Sequence, residues 1–354
     1  MKIGILTHPQ CANYGGILQC YALSEFLKKI GNDSIVINRE PNRPHLLKRC
    51  ILILLRTLRI PRYYKSRTVD RTLNMRPFVE KHLNRTRPVF SNTQIHNLCN
   101  EYGLKAIIVG SDQVWRRDFA LKYGYNYFLD FVPPHVIKAS YAASFGLDIW
   151  NYTNEETQEL KRLIRDFSFI SVREDVAVSL CKENLNIDAK LMIDPTLLLT
   201  IDDYNKITSQ RLIESKYIFV YWLGDKTIIQ RDIEKYQTNG YIVKSINLKD
   251  ECIQESVEDW LSYIKYADFV ITDSFHGVVF SILFRKVFYI YKNDSGGNSR
   301  LHSLMRQLCI SQELLQSNQQ LDYYSIETRI DYLREKAKCF LLNINDKYEV
   351  GFCN

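Results

Sequence analysis

The chain has 354 residues, a length that favours two domains of ordinary size. Hydrophobic residues make up 46% and charged residues 25%, the balance of a soluble globular protein, and no apolar run approaches the ~20 residues of a membrane span. The net charge of +7 is concentrated: residues 41–71 hold nine Arg and Lys against Asp70 alone, a net of +8, which leaves the remainder about neutral and argues against a nucleic-acid-binding surface.

That basic arm also contains the apolar run Cys50–Leu55 and the pair Tyr63-Tyr64. It reads either as an amphipathic helix on an anionic membrane surface or as a solvated helix packing its leucines on the domain. The nine cysteines are odd in number and include no Cys-x-x-Cys pair, so neither a zinc site nor a disulfide framework is indicated. Reduced thiols in a cytoplasm are the simplest reading, with the inner membrane face as the place for the arm. The opening MKIGILTHPQ reads as a strand, not a signal peptide.

In chain order, Lys2–Thr7 is a strand and Gly16–Ile30 a helix, closed by Gly31. Between them lies Asn13-Tyr14-Gly15-Gly16, whose paired glycines let backbone approach a ligand. A tight turn with no ligand is the competing reading, and no dinucleotide fingerprint is present. Ser34–Asn38 is a strand, followed by the basic arm and a helix near Val69–Leu83. Lys105–Val109 is a third strand, ending in Gly110-Ser111-Asp112-Gln113-Val114-Trp115. Asp112, just past a parallel strand, is placed to orient or deprotonate a sugar hydroxyl. Trp115 is a candidate sugar platform or a core residue.

Ile137–Ala142 is another strand and leads to Ala143-Ser144-Phe145-Gly146. A helix over 155–166 follows, and Phe167–Val172 is a strand that delivers Arg173-Glu174. Arg173 is a ready carboxylate or phosphate clamp, or else one half of an ion pair. Asp194-Pro195-Thr196 breaks the pattern. The expected division is therefore residues 1–190, residues 191–325 and a helical tail over 326–354. In the second part Tyr217–Trp222, Tyr241–Ile246, Phe269–Thr272 and Val287–Tyr291 alternate with helices. The fold class expected is α/β, two Rossmann-like β/α/β domains facing a cleft. Ala267–Ile290 is a complete βαβ unit with Ser274 and His276 at its strand-to-helix turn, where ligands bind in open parallel sheets. Asn293–Arg300 is a glycine-rich loop that places Ser299 and Arg300 at a helix start.

Six stretches in order, NYGGILQCYAL, GSDQVW, SYAASFG, SVREDVAV, DPTLLL and ITDSFHGVVFSILF, resemble the polysaccharide pyruvyl transferase family over about residues 1–310. The resemblance implies a fold like that of the GT-B glycosyltransferases. It also implies transfer of a pyruvyl group from phosphoenolpyruvate to sugar hydroxyls of a bacterial cell-surface polysaccharide precursor, as a ketal. On that reading no cofactor or metal is needed, and the partners are phosphoenolpyruvate and a glycan acceptor that is lipid-linked or a nucleotide sugar. Many members carry Arg-Leu-His where this chain has Ser274-Phe275-His276. The lost arginine calls for another cation, and Arg300 is the candidate, with pairing to Asp294 as the alternative.

The expected roles are His276 and Asp112 in catalysis, and Arg173, Ser274, Ser299 and Arg300 on the donor. Asn13, Gly15, Gly16, Gln113, Trp115 and Ser144 are expected on the acceptor side. Two other classes stay open: a GT-B glycosyltransferase using a nucleotide sugar, and a non-catalytic glycan-binding protein.

Overall fold

The computed structural model describes residues 1–10, 13–41, 50–51, 54–55, 57–58, 70–250, 252–291, 298–311 and 321–350. The first half builds β1 (Lys2–Leu6), α1 (Tyr14–Lys29), β2 (Asp33–Val36), β3 (Ala106–Val109), β4 (Lys122–Tyr125), β5 (Ile137–Ser140), α2 (Asn154–Ile164), β6 (Phe167–Phe169), β7 (Ser171–Val172), α3 (Asp175–Leu180) and β8 (Lys190–Leu191). Its main sheet is parallel, in the order β2-β1-β3-β5-β6. The second half builds β9 (Tyr217–Trp222), β10 (Ile242–Asn247), α4 (Val257–Tyr266), β11 (Phe269–Thr272), α5 (Phe275–Leu283), β12 (Val287–Ile290), α6 (Asn298–Gln307) and α7 (Tyr323–Val350). Its sheet is also parallel, in the order β10-β9-β11-β12. This is the α/β class expected, with one β/α sheet in each half.

The strand order reverses between β1 and β3 in the first sheet and between β9 and β11 in the second. At such a point the following connections go to opposite faces, which opens a crevice at the carboxyl edge. His8 and Asp112 follow β1 and β3; Gly224 and Ser274 follow β9 and β11.

Local sequence accounts for the elements that frame these crevices. Every residue of β9 is buried, as a continuous apolar run requires in a sheet covered on both faces. All nine residues of α5 are buried, because this apolar helix is enclosed between its own sheet, α1 and the turn over Pro195–Leu197. Asn13 caps α1 by accepting from the Gly16 amide, and Gly31, at φ +85°, ends the turn that follows the helix.

One apolar core runs through both halves. Tyr14 of the first half stacks on Trp260 of the second at 5.1 Å, and its hydroxyl donates to the Glu255 carbonyl at 3.0 Å. The helix α7 returns to the first half. Phe340 packs against Tyr141 and Phe169, and the Arg334 guanidinium donates to the Leu197 and Leu199 carbonyls, each at 2.7 Å.

Three expectations change in detail. The single strand over Phe167–Val172 is two strands, since β6 pairs with β5 while β7 pairs with β8. The helix expected near Val69–Leu83 forms over Arg76–His82, with Pro77 in its first turn, where a missing amide costs nothing. The helix expected from Leu301 begins at Asn298, so Ser299 and Arg300 belong to its first turn. Most of the basic arm, residues 42–49, 52–53, 56 and 59–69, lies outside the described residues. Among its described apolar residues Ile51, Leu54 and Leu58 are 47%, 58% and 62% exposed and Leu55 is half-buried.

Trp115 is a correction to the sequence reading. It is fully buried, stacks on Phe128 at 5.6 Å, and its Nε1 donates to the Tyr127 carbonyl at 3.0 Å. Enclosed among Phe128, Phe145 and Phe167, with its donor satisfied, it is core, and no sugar can stack on it. Trp115→Ala is expected to cost about 3–5 kcal/mol in urea unfolding. A loss of glycan affinity with unchanged stability would instead restore the platform reading.

Candidate functional site between the two sheet edges

Both crevices open toward each other, and the side chains at their rims meet. Arg173 leaves β7 and is buried to 1% exposure. Its Nη1 donates to Asp194 Oδ2 at 2.7 Å, and its Nε to Glu174 Oε1 at 3.4 Å. The Asp112 carboxylate lies 3.9 Å from Nη2. The Phe275 ring lies under the guanidinium carbon at 4.6 Å. Asp194 Oδ2 also accepts from the Ser111 hydroxyl at 3.0 Å, while Oδ1 accepts from the Thr196 amide and hydroxyl at 3.0 and 2.6 Å. His276 reaches the same carboxylate from the second half, with Nε2 at 3.8 Å from Oδ2.

His276 sits directly on α1. A Cβ added at Gly15 would lie 1.9 Å from its Nδ1, so only glycine admits this approach. Gly16 faces Asp112. Asp112 itself holds φ +78°, a conformation uncommon for a non-glycine residue and one that collects at functional sites. The face of α6 that carries Arg300, Ser303 and Gln307 lies on the β7–α3 turn. Gln307 Nε2 donates to the Arg173 carbonyl at 3.1 Å, and the Asp175 amide donates to the Ser303 hydroxyl at 3.2 Å. That spacing puts Arg300 on the same face.

Burial and charge set the electrostatics. Burial alone would raise the Asp194 carboxyl, yet His276, Arg173 and Thr196 together hold it far below the usual carboxylate range. Asp112 is likewise held down, against burial, by His8, Arg173, His276 and Arg300. Glu174 goes the other way, pushed up by burial despite Arg173 and the Ser144 hydroxyl. Arg300 is lowered by burial and then by the like charge of Arg173. Five nitrogens here are enclosed without a hydrogen-bond partner: His8 Nε2, Arg116 Nε, Arg173 Nη2, His276 Nε2 and Arg300 Nε. Native interiors rarely leave buried polar nitrogens unmet, and the four on Arg116, Arg173, His276 and Arg300 together mark a place that suits an anion.

The remaining expected residues fall around this centre. Ser274 caps α5, its hydroxyl accepting from the Gly277 amide at 3.4 Å. Ser144 is buried and accepts from the Gly146 amide at 3.0 Å. Gln113 Oε1 accepts from Arg116 Nη1 at 3.0 Å. Asn13 is exposed and spends its carbonyl on the α1 cap; Ser299 is buried in α6. Arg173 makes the ion pair that was the alternative to a clamp, with two of its nitrogens committed to Asp194 and Glu174. Asp294 lies outside the described residues.

Sequence reasoning missed Asp194 as a site residue, along with His8, Ser111 and Arg116. Asp-Pro-Thr was read as a boundary because proline breaks a pattern. His8 follows β1 at the carboxyl edge, a position that could have flagged it. Among the described residues no group of His, Cys, Asp and Glu is arranged to hold a metal, and no helix is long and apolar enough to cross a membrane.

Asp194→Asn is expected to destabilise the fold by about 3–5 kcal/mol, because Arg173 keeps its charge and loses its partner. Asp194 has a depressed folded pKa, so its contribution is present above the unfolded carboxylate value of ~3.9 and is lost as pH falls toward the folded one. Urea unfolding at stepped pH should show a constant wild-type advantage above about pH 5, shrinking below it. A pH-independent difference would reject the ion-pair account.

A family model for polysaccharide pyruvyl transferase matches residues 13–295. No curated protein matches the chain. Among solved structures, a UDP-GlcNAc 2-epimerase from Methanocaldococcus jannaschii is similar at 10% identity and TM-score 0.47, with 94% of this chain and 92% of that one covered. A putative UDP-N-acetylglucosamine 2-epimerase from Listeria monocytogenes is similar at 10% identity and TM-score 0.48, over 92% and 94%. An α-glucosyltransferase in complex with UDP and DNA is similar at 11% identity and TM-score 0.45, over 96% and 95%.

Proposed function

The chain belongs to the polysaccharide pyruvyl transferase family, and from that premise we propose that it transfers a pyruvyl group from phosphoenolpyruvate to sugar hydroxyls of a cell-surface polysaccharide precursor, forming a ketal. The observation that supports this reading is the set of enclosed nitrogens without a hydrogen bond on Arg116, Arg173, His276 and Arg300, between the two sheet edges. Phosphoenolpyruvate brings a carboxylate and a phosphate, and such anions call for several positive donors. Arg173 Nη2, Arg300 and Arg116 supply them, with Asp112, Glu174 and Asp194 keeping the unliganded site close to neutral. A nucleotide-sugar donor is less well served. Its diphosphate would seek backbone amides at the second sheet's carboxyl edge, and the Leu223 and Gly224 amides there already donate to Asp273, each at 2.8 Å.

The methylene carbon of the donor must gain a proton before a hydroxyl can add to its neighbour. His276 is the general acid: its Nε2 is enclosed at the site beside the Asp194 carboxylate, within reach of a donor bound there. Incubation with phosphoenolpyruvate and a panel of lipid-linked oligosaccharides should release phosphate and add the mass of one pyruvyl ketal to an acceptor. His276→Gln should lower kcat by roughly 10²–10⁴-fold with donor affinity retained. Arg300→Met should weaken donor binding roughly 10- to 150-fold, the worth of a charge-assisted bond. Near-normal kcat in the first variant would remove His276 from the acid role. Unchanged affinity in the second would remove Arg300 from the donor.

The basic arm 41–71 faces an anionic surface, the membrane or the acceptor's lipid pyrophosphate. Its charge and the exposure of Ile51, Leu54 and Leu58 support this. Each basic residue near such a surface contributes ~1 kcal/mol, screened by salt. Flotation with anionic vesicles should recover the protein at low salt and lose it at high salt. Equal recovery with neutral vesicles would count against the arm.

A further inference from the structure

Ketal formation needs a base as well as an acid, because the attacking hydroxyl must lose its proton. The sequence pointed to Asp112. Asp112 lies beside Arg173 and Arg300, which stabilise its charged form and weaken it as a base.

Resting on the pyruvyl-transfer reading, we propose that His8 is a further catalytic residue, whose Nε2 receives the proton of the attacking acceptor hydroxyl. The ring follows β1 at the switch point of the first sheet and is held edge-on by Phe119 at 5.6 Å and Tyr127 at 5.3 Å. The Tyr127 hydroxyl lies 3.4 Å from the Thr7 carbonyl and 3.4 Å from His8 Nδ1. The phenol donates to the Thr7 carbonyl, and we assign the tautomer in which Nδ1–H donates to the phenol oxygen. That leaves the lone pair on Nε2, which is enclosed and has no partner. Asp112, Lys122, Tyr127 and the Gln113 carbonyl face the ring. Burial is the largest influence on it and favours the neutral form, with Asp112 opposing.

The atoms balance as follows. In the first step the acceptor O–H bond breaks and its proton goes to His8 Nε2. The oxygen bonds to the central carbon of phosphoenolpyruvate, and His276 gives a proton to the methylene carbon, making it a methyl group. In the second step the carbon–oxygen bond to phosphate breaks with its electron pair. The second hydroxyl bonds to the same carbon, and its proton leaves with the phosphate. His8 then returns its proton to His276 through solvent.

The test uses the full chain with phosphoenolpyruvate and an acceptor that the wild type modifies. His8→Gln should lower kcat by about 10²–10⁴-fold while phosphoenolpyruvate affinity stays within about twofold. The wild-type loss of kcat at acid pH should be absent from the residual activity of His8→Gln. His8→Ala should be partly rescued by added imidazole, which a packing role would not allow. Tyr127→Phe, which keeps the ring contact and removes the hydroxyl, should show a smaller loss of kcat. Retention of kcat within about threefold in His8→Gln, or failure of imidazole to raise the activity of a folded His8→Ala, overturns the assignment. If the wild type itself releases no phosphate with any acceptor, the pyruvyl-transfer reading falls and the role of His8 falls with it.

Discussion

The pair between Arg173 and Asp194 fixes the geometry of everything around it. Burying two opposite charges costs several kcal/mol per ion before any attraction returns it. Here the return is good because Asp194 is satisfied on both oxygens, by Ser111, Arg173 and Thr196. The partners come from the edge of β3, the edge of β7 and the passage between the two halves. The pair therefore locks three separate segments at one point. His276 approaches that same carboxylate from the second half, and Gly15 gives it room to do so. The register of one sheet edge against the other is set by this charged contact and by the shared core around Tyr14, Trp260 and Phe280.

Against that satisfied centre, the unmet nitrogens stand out. A buried donor without a partner costs about 1–3 kcal/mol, more when it is charged. The chain tolerates several of them in one place and adds a strained backbone at Asp112. A fold carries such conflicts where function requires them and compensates elsewhere. The compensation here is visible in the extensive core and in α7, which packs on the first half through Phe340 and on the passage between the halves through Arg334.

Much of this was legible in the chain. Strands such as Phe269–Thr272 and Tyr217–Trp222 are short apolar runs bounded by turn residues, and parallel sheets leave that trace. His276 and Arg173 were legible because each follows a strand at a sheet's carboxyl edge. Asp194 was not, because its role is a contact with Ser111, 83 residues away, and its own neighbourhood reads only as a break. Trp115 was ambiguous for a physical reason: an aromatic after a strand can turn inward or outward, and the stacking on Phe128 decides it. His8 left only its position after β1 at the carboxyl edge. Its significance comes from Asp112 and Tyr127, brought to it by β3 and by the turn after β4.

The departure at Ser274 fits the same logic. A serine there caps α5, and an N-cap is worth about 1 kcal/mol to the helix that carries His276. An arginine would give up that cap in exchange for charge. On the proposed reading the charge has moved to Arg300, on a different helix of the same half. The α6 face of Arg300, Ser303 and Gln307 is already fastened to the Arg173 turn of the first half. The cation that replaces the missing one thus still arrives with the second half, and it meets Arg173 only when the two halves are together. An anion bound between the two guanidiniums would offset their repulsion.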